Sequence, residues 1–235
     1  MWLLLLAMAV APGLAICIFI FWKDKFDAEP RHLLVKSFFL GVFSCVPAII
    51  LSILAEKMGS EPNNTSLLFS AFSCIAGIGF TEEFSKFIFV RFYTYKKAEF
   101  NEPFDGITYC VMVAMGFATL ENILYVFNGD DFSGSFNIAI ARMIFSVPGH
   151  AMFGVIMGYF LGIEKHYNKP NMGFLGLIIA AVVHGLFDFS LFNASSYPIF
   201  LLVFLGLFIG IVRLSLKAIK LHQANSPFRN NDNPS

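Results

Sequence analysis

A helix needs about 20 mainly apolar residues to cross the hydrocarbon core of a bilayer, and seven stretches of this chain meet that requirement. They run over Trp2–Trp22, Leu33–Ala55, Ser66–Tyr93, Phe104–Phe127, Phe136–Ile163, Met172–Phe192 and Pro198–Leu216. No other feature restricts the fold as tightly. Only 14% of the 235 residues are Asp, Glu, Lys or Arg, where a soluble domain carries about a quarter. A soluble core of this length cannot hide a chain that is 57% hydrophobic, and exposing the surplus to water would drive aggregation. The same numbers exclude disorder and a coiled coil. The fold class is therefore all-α: a polytopic transmembrane helical bundle of about seven spans. One membrane domain covers residues 1–222, and a flexible tail rich in Asn, Ser and Pro covers 223–235.

The loops set an orientation through their lysines and arginines. Lys23, Lys25 and Arg31 follow the first span, Arg91, Lys96 and Lys97 close the third, and Lys165 and Lys169 follow the fifth. Arg213, Lys217, Lys220 and Arg229 come at the end of the chain. The alternate loops hold Lys57 beside two glutamates, and the acidic run Gly129-Asp130-Asp131. This pattern predicts an outside N-terminus and an inside C-terminus. The first span lacks a basic leader and is too long for a signal-peptide core, so an uncleaved anchor is expected. The 16 basic and 16 acidic residues cancel, leaving no electrostatic footprint for a nucleic-acid partner. Cys17, Cys45, Cys74 and Cys110 stand apart in apolar runs and are read as free thiols. Gly154, Gly158 and Gly162 form a small-residue face suited to close helix packing.

The polar residues inside the spans carry the functional information. Glu82, Glu83 and Lys86 lie on the third span, Glu121, Asn122 and Tyr125 on the fourth, Arg142 and His150 on the fifth, and His184 and Asp188 on the sixth. A charge near the bilayer centre costs about 2.5–3.5 kcal/mol on insertion scales, so the six ionic groups sum to roughly 15–20 kcal/mol if unpaired. They must meet one another or water. Lys86 is three and four residues from the two glutamates, within pairing distance of either. Adjacent helical residues point about 100° apart, so Glu82 and Glu83 cannot share one role. One should face a reactive space while the other meets Lys86 or a neighbouring helix. His184 and Asp188 are four apart, which lets the carboxylate orient the imidazole. Gly77-Ile78-Gly79 suggests a helix interruption with Thr81 as an N-cap, and Pro148 a kink just before His150.

Polar groups on four consecutive spans point to one shared cavity. A carboxylate base, water and an oxyanion donor suffice for amide hydrolysis. Glu82 or Glu83 would be the base, His150 would hold the water, and His184, oriented by Asp188, would donate to the oxyanion. No serine or cysteine nucleophile with a neighbouring base stands out, so no cofactor is required by this reading. Two rivals remain. Zinc could be held by His150, His184 and one of Glu82, Glu83, Glu121 or Asp188, although His-Glu-x-x-His is absent. Intramembrane Glu, His and Asp also mark proton-coupled transporters.

These motifs resemble the PrsW family of bacterial membrane proteases. The resemblance rests on Glu82-Glu83-Phe84-Ser85-Lys86, on Gly116 to Tyr125 (Gly-Phe-Ala-Thr-Leu-Glu-Asn-Ile-Leu-Tyr), on His150-Ala151-x-x-Gly154 and on His184-Gly185-x-x-Asp188. Ala11-Pro12-Gly13 and Asp27-x-Glu29-Pro30 add to it, so that it covers Pro12 to Arg213. It implies an intramembrane endopeptidase of glutamic type, related to the CAAX-processing and bacteriocin-immunity proteases, in the bacterial cytoplasmic membrane. The implied partner is a single-span anti-sigma factor, cut first near its outer side before a second protease acts. In the relatives a glutamate of the pair and a histidine activate water, and His-x-x-x-Asn helps form the oxyanion hole. Carried over, these are Glu82 with Glu83 and His184, with Asp188 in place of the Asn. The wider superfamily has Glu-Glu-x-x-x-Arg, whereas Lys86 comes one residue earlier, and Glu121 stands where its Phe-x-x-x-His has histidine. That leaves His150 as the replacement water-holding residue.

Overall fold

The computed structural model describes residues 1–129 and 131–229. Seven long helices account for nearly all of it: α1 (Trp2–Lys23), α2 (Arg31–Lys57), α3 (Leu67–Lys96), α4 (Pro103–Phe127), α5 (Phe132–Tyr167), α6 (Met172–Asn193) and α7 (Ile199–Ala224). Each is long and apolar enough to cross a membrane, so the chain is a multi-pass membrane protein. No strand occurs among the described residues. Seven crossings put the loops after α1, α3 and α5 on one face, together with the end of α7. The start of α1 and the loops after α2, α4 and α6 lie on the other. Helix α7 runs through Gln223 and Ala224 before it ends, and residues 230–235 of the expected tail lie outside the described residues, as does Asp130 of the acidic loop.

Helix α4 is the hub. Every residue from Pro103 to Thr119 on it is buried, whereas α1, α2 and α7 expose Leu3, Val35, Phe43, Leu202 and Leu214 to the surroundings. An apolar outer surface is the stable one in lipid, where no hydrophobic force drives helices together and close backbone packing must do so instead. The glycines supply that packing. A methyl group at Gly158 or Gly162 of α5 would collide with the carbonyls of Gly106 and Pro103 on α4. Gly41 of α2 lies against the Val113 carbonyl, and Gly116 of α4 against that of Phe38. The small face at Gly154, Gly158 and Gly162 is thus a packing seam.

Two helices depart from α geometry where they approach the polar residues. In α3 the segment Cys74–Phe80 is π-helical, leading into the α-helical run Thr81–Phe92. The expected break at Gly77-Ile78-Gly79 does not occur, and Thr81 is not an N-cap. Its hydroxyl donates back to the Gly77 carbonyl at 2.8 Å within a continuous helix. The glycines serve contact instead: Gly79 abuts Ala181 and Gly185 of α6 so closely that a Cβ would overlap their backbone. In α5 the turn Arg142–Ser146 is π-helical, with the Val147 N–H donating to the Arg142 carbonyl. Pro148 has no N–H to return to Ile144, so the wide turn falls where the α ladder is already broken.

Candidate active site

The close contact of α3 with α6 fixes the first half of the site. Gly79 and Gly185 let the two backbones meet, which carries Glu83, one turn further along α3, against His184. Glu83 is fully buried, and its Oε1 accepts from Lys86 Nζ at 2.7 Å and lies 3.0 Å from His184 Nδ1. Glu82 points elsewhere. Its side chain keeps 13% exposure, its Oε2 lies 3.6 Å from Lys86 Nζ and 4.0 Å from His184 Nε2, and that oxygen makes no hydrogen bond. The 100° step between neighbours thus separates a carboxylate that locks the frame from one that faces the cavity.

The hub α4 and the wide turn of α5 complete the site. Glu121 Oε2 accepts from Arg142 Nη2 at 2.7 Å and from His150 Nε2 at 2.9 Å. The other ring nitrogen of His150, Nδ1, is 3.1 Å from Lys86 Nζ, so this imidazole bridges α3 and α4. Asp188 Oδ2 lies 3.4 Å from His184 Nε2; the expected orienting carboxylate is present, but Glu83 is the closer one. Arg142 stacks over Tyr125 at 4.2 Å and donates from Nε to Asn122 Oδ1 at 2.9 Å. Asn122 is buried and donates to the Ala9 carbonyl of α1 at 2.8 Å. Asn122 therefore anchors Arg142 from behind.

A cavity of about 170 Å³ lies between these helices, lined by Glu82, Glu121, His150, His184 and Asp188 among others. That volume holds several waters or a short stretch of extended peptide backbone. Glu83, Lys86 and Asn122 are absent from its lining, so the polar set divides into groups that face the space and groups that hold them. Two aromatic side chains hold the frame as well: Phe117, which lies in the Gly116–Tyr125 motif, and Phe153, which nothing sets apart in a chain with 30 phenylalanines. Phe117 lies 4.0 Å under the Lys86 ammonium, and Phe153 stacks on His184 with centroids 4.5 Å apart.

The donor chemistry also bears on a metal. Glu82, His150 and His184 each offer a ligand atom within 4.8 Å of the others, and two histidines with one carboxylate is a common catalytic zinc set. Glu83 on His184 Nδ1 leaves Nε2 turned toward Glu82, as an outer carboxylate does for a metal-binding imidazole. Four carboxylates here face two permanent cations, Lys86 and Arg142, so a divalent ion would balance the charge. For His150 to ligate, its Nδ1 would have to leave Lys86 or its Nε2 leave Glu121; with that one change the residues fit such an ion.

Fold and site together define a polytopic membrane protein with an acid–base centre enclosed at mid-depth in its bundle. Residues 29–213 match the family described as PrsW family intramembrane metalloprotease. The chain belongs to this PrsW family of intramembrane proteases. It is 36% identical over 217 residues to a Protease PrsW of Oceanobacillus iheyensis, covering 91% of this chain and 94% of the relative. The Bacillus subtilis Protease PrsW is 33% identical, with 86% and 88% covered, and that of Clostridioides difficile is 33% identical, with 85% and 84% covered. No solved structure matches the chain. Membership decides between protease and the rival proton-coupled transporter.

Proposed function

We propose that the protein cuts a single-span membrane substrate by water attack on a peptide bond in the cavity beside Glu82. The carrying observation is the unequal placement of the two glutamates: Glu82 lines the cavity, while Glu83 lies outside its lining with Oε1 held by both Lys86 and His184. Glu82 takes the proton from the attacking water and returns it to the leaving amine. His150, with Nε2 on Glu121 and Nδ1 on Lys86, has no ring nitrogen left for the water and instead fixes Glu121 at the cavity wall beside it. His184, fixed by Glu83 and flanked by Asp188, donates from Nε2 to the developing oxyanion. Lys86 and Arg142 offset the buried carboxylates and hold the two halves of the site in register. A metal, as the family description implies, would be held by Glu82, His150 and His184 and would supply carbonyl polarisation and a more acidic bound water.

The substrate we propose is an anti-sigma factor, cut at its outer side in a first, site-1 step in the bacterial cytoplasmic membrane. The resemblance to PrsW supports this, as do the basic loops on the face opposite the cavity's nearer end. Glu121 and Asp188 lie toward the ends of α4 and α6 that share a face with the N-terminus, which the charge pattern assigns to the outside. The test is cleavage of a candidate single-span protein in proteoliposomes by wild type and by Glu82→Gln, Glu83→Gln and His184→Ala. Each substitution should abolish cleavage while the bundle still forms; full cleavage by Glu82→Gln would overturn the reading. A strong chelator separates the two chemistries: loss restored by zinc assigns the three ligands, and unchanged cleavage leaves Glu82 as a metal-free base.

A further inference from the structure

The opposite end of the bundle holds a second set of acids, unconnected to the cavity. Asp24 follows α1, Glu29 precedes α2, and Glu102 and Asp105 open α4. They are 5%, 3%, 2% and 0% exposed. Asp24, Glu29 and Asp105 each have one oxygen engaged, and Glu102 also accepts from the Asp105 N–H. Asp24 Oδ2 accepts from the Glu29 N–H at 3.0 Å, and Asp105 Oδ2 accepts from the N–H groups of Asn101 and Glu102 at 2.7 Å each. Glu29 Oε2 takes the Tyr109 hydroxyl, and Glu102 Oε2 takes that of Ser226. Of the remaining oxygens, Asp24 Oδ1 is buried without a hydrogen bond, and Glu29 Oε1 and Asp105 Oδ1 are buried with no partner other than each other's carboxyl.

No compensating cation is in contact. Among the described residues no lysine, arginine or histidine nitrogen comes within 4.0 Å of these four carboxylates. Lys165, whose charge is felt by Asp105 and Glu29, turns its ammonium to the carbonyls of Tyr95 and Lys97 at 2.5 and 2.9 Å. Burial pushes the Asp24 and Glu29 carboxyls each up to about 7, outweighing the hydrogen bonds they accept. Asp24, Glu102 and Asp105 each present an oxygen within 4.8 Å of the others. Oxygens around one Ca²⁺, at about 2.3–2.6 Å from the ion, lie no more than about 5 Å apart.

We propose that Asp24, Glu102 and Asp105, with Glu29 beside them, form a binding site for a hard divalent cation such as Ca²⁺ or Mg²⁺. All the donors are carboxylate oxygens, which favour these ions over zinc or copper. The site joins the end of α1, the start of α2 and the start of the hub α4, and through Ser226 the segment after α7. The ion is therefore a clamp on four chain segments, remote from the cavity between Glu82 and His184.

The test uses full-length protein in nanodiscs with Tb³⁺ as the probe, excited through Tyr109, whose hydroxyl touches Glu29. A saturable emission that Ca²⁺ or Mg²⁺ displaces is expected. It should persist in Glu82→Gln, which removes a ligand from the cavity, and weaken at least about tenfold in affinity in Asp105→Asn. Because Asp105 also caps α4, Asp24→Asn provides a second variant that keeps the acceptor for the Glu29 N–H; the same weakening is expected. Absence of displaceable emission from the wild type would overturn the proposal. So would its disappearance in Glu82→Gln, or its survival at full affinity in Asp24→Asn.

Discussion

Replacing Lys86 with methionine tests whether the buried charges act as one frame. Lys86 is 3% exposed and Glu83 is fully buried, and at 2.7 Å their pair is as short as any in the site. Removing one member of a buried pair costs about 3–5 kcal/mol, because the remaining charge stays in a low dielectric without its partner. Glu83 keeps His184 Nδ1 at 3.0 Å, which places the expected loss near the lower end, about 3 kcal/mol. That corresponds to roughly a hundredfold in the folding equilibrium. The double variant Lys86→Met/Glu83→Gln removes both charges at similar volume and should recover about 2 kcal/mol of the loss. Unfolding in mixed micelles, titrated with SDS and followed by far-UV circular dichroism, gives the four corners of the cycle. If Lys86→Met costs under about 1 kcal/mol, or if the double variant is no more stable than Lys86→Met, the pair is not the frame described here.

Four further substitutions probe parts of the same design. Gly158→Val drives a side chain into the Gly106 backbone and should reduce stability by about 1–3 kcal/mol or prevent folding, whereas Gly210→Ala, in open space on α7, should be neutral or stabilising; size-exclusion profiles and SDS titrations distinguish them. Phe153→Leu keeps apolar volume but removes the flat surface under His184, so kcat should fall about tenfold with little change in KM. Asn122→Ala leaves the Ala9 carbonyl and Arg142 Nε without partners and should cost about 1–3 kcal/mol in the same unfolding assay.

The spans were the most legible part of the chain, because about 20 apolar residues in succession admit few other arrangements. Short-range pairs were legible too. Lys86 reaches both Glu82 and Glu83, and Asp188 reaches His184, because three- and four-residue spacings place side chains on one helix face. Contacts between helices were not. Glu83 with His184, His150 with Glu121 and Arg142 with Asn122 depend on which backbones touch, and residue spacing carries no record of that. The π-helical turns were hidden for a related reason: a turn one residue wider leaves the apolar pattern intact and shows only in the hydrogen bonds. Gly77 and Gly79 suggest a helix interruption, yet their missing side chains serve close packing. Nothing in the sequence marks Asp24, Glu102 and Asp105 as a group, since carboxylates beside helix ends are common and burial alone sets these apart.

The two neighbouring glutamates show how packing turns a symmetric motif into an asymmetric site. Their sequence neighbourhood treats them alike, and helical geometry states only that they diverge. The direction of divergence comes from Gly79 and Gly185, which bring α3 and α6 into backbone contact on the side where Glu83 lies. Contact there buries Glu83 against His184 and leaves Glu82 toward the cavity that Glu121 and His150 close from α4 and α5. A side chain larger than hydrogen at either glycine would separate the helices and loosen the Glu83–His184 pair, with no change to any polar group. Gly185→Ala should therefore impair cleavage much as Glu83→Gln does, although it alters no acid or base. Unimpaired cleavage by a stably folded Gly185→Ala would show that the glutamates are distinguished by something other than this contact.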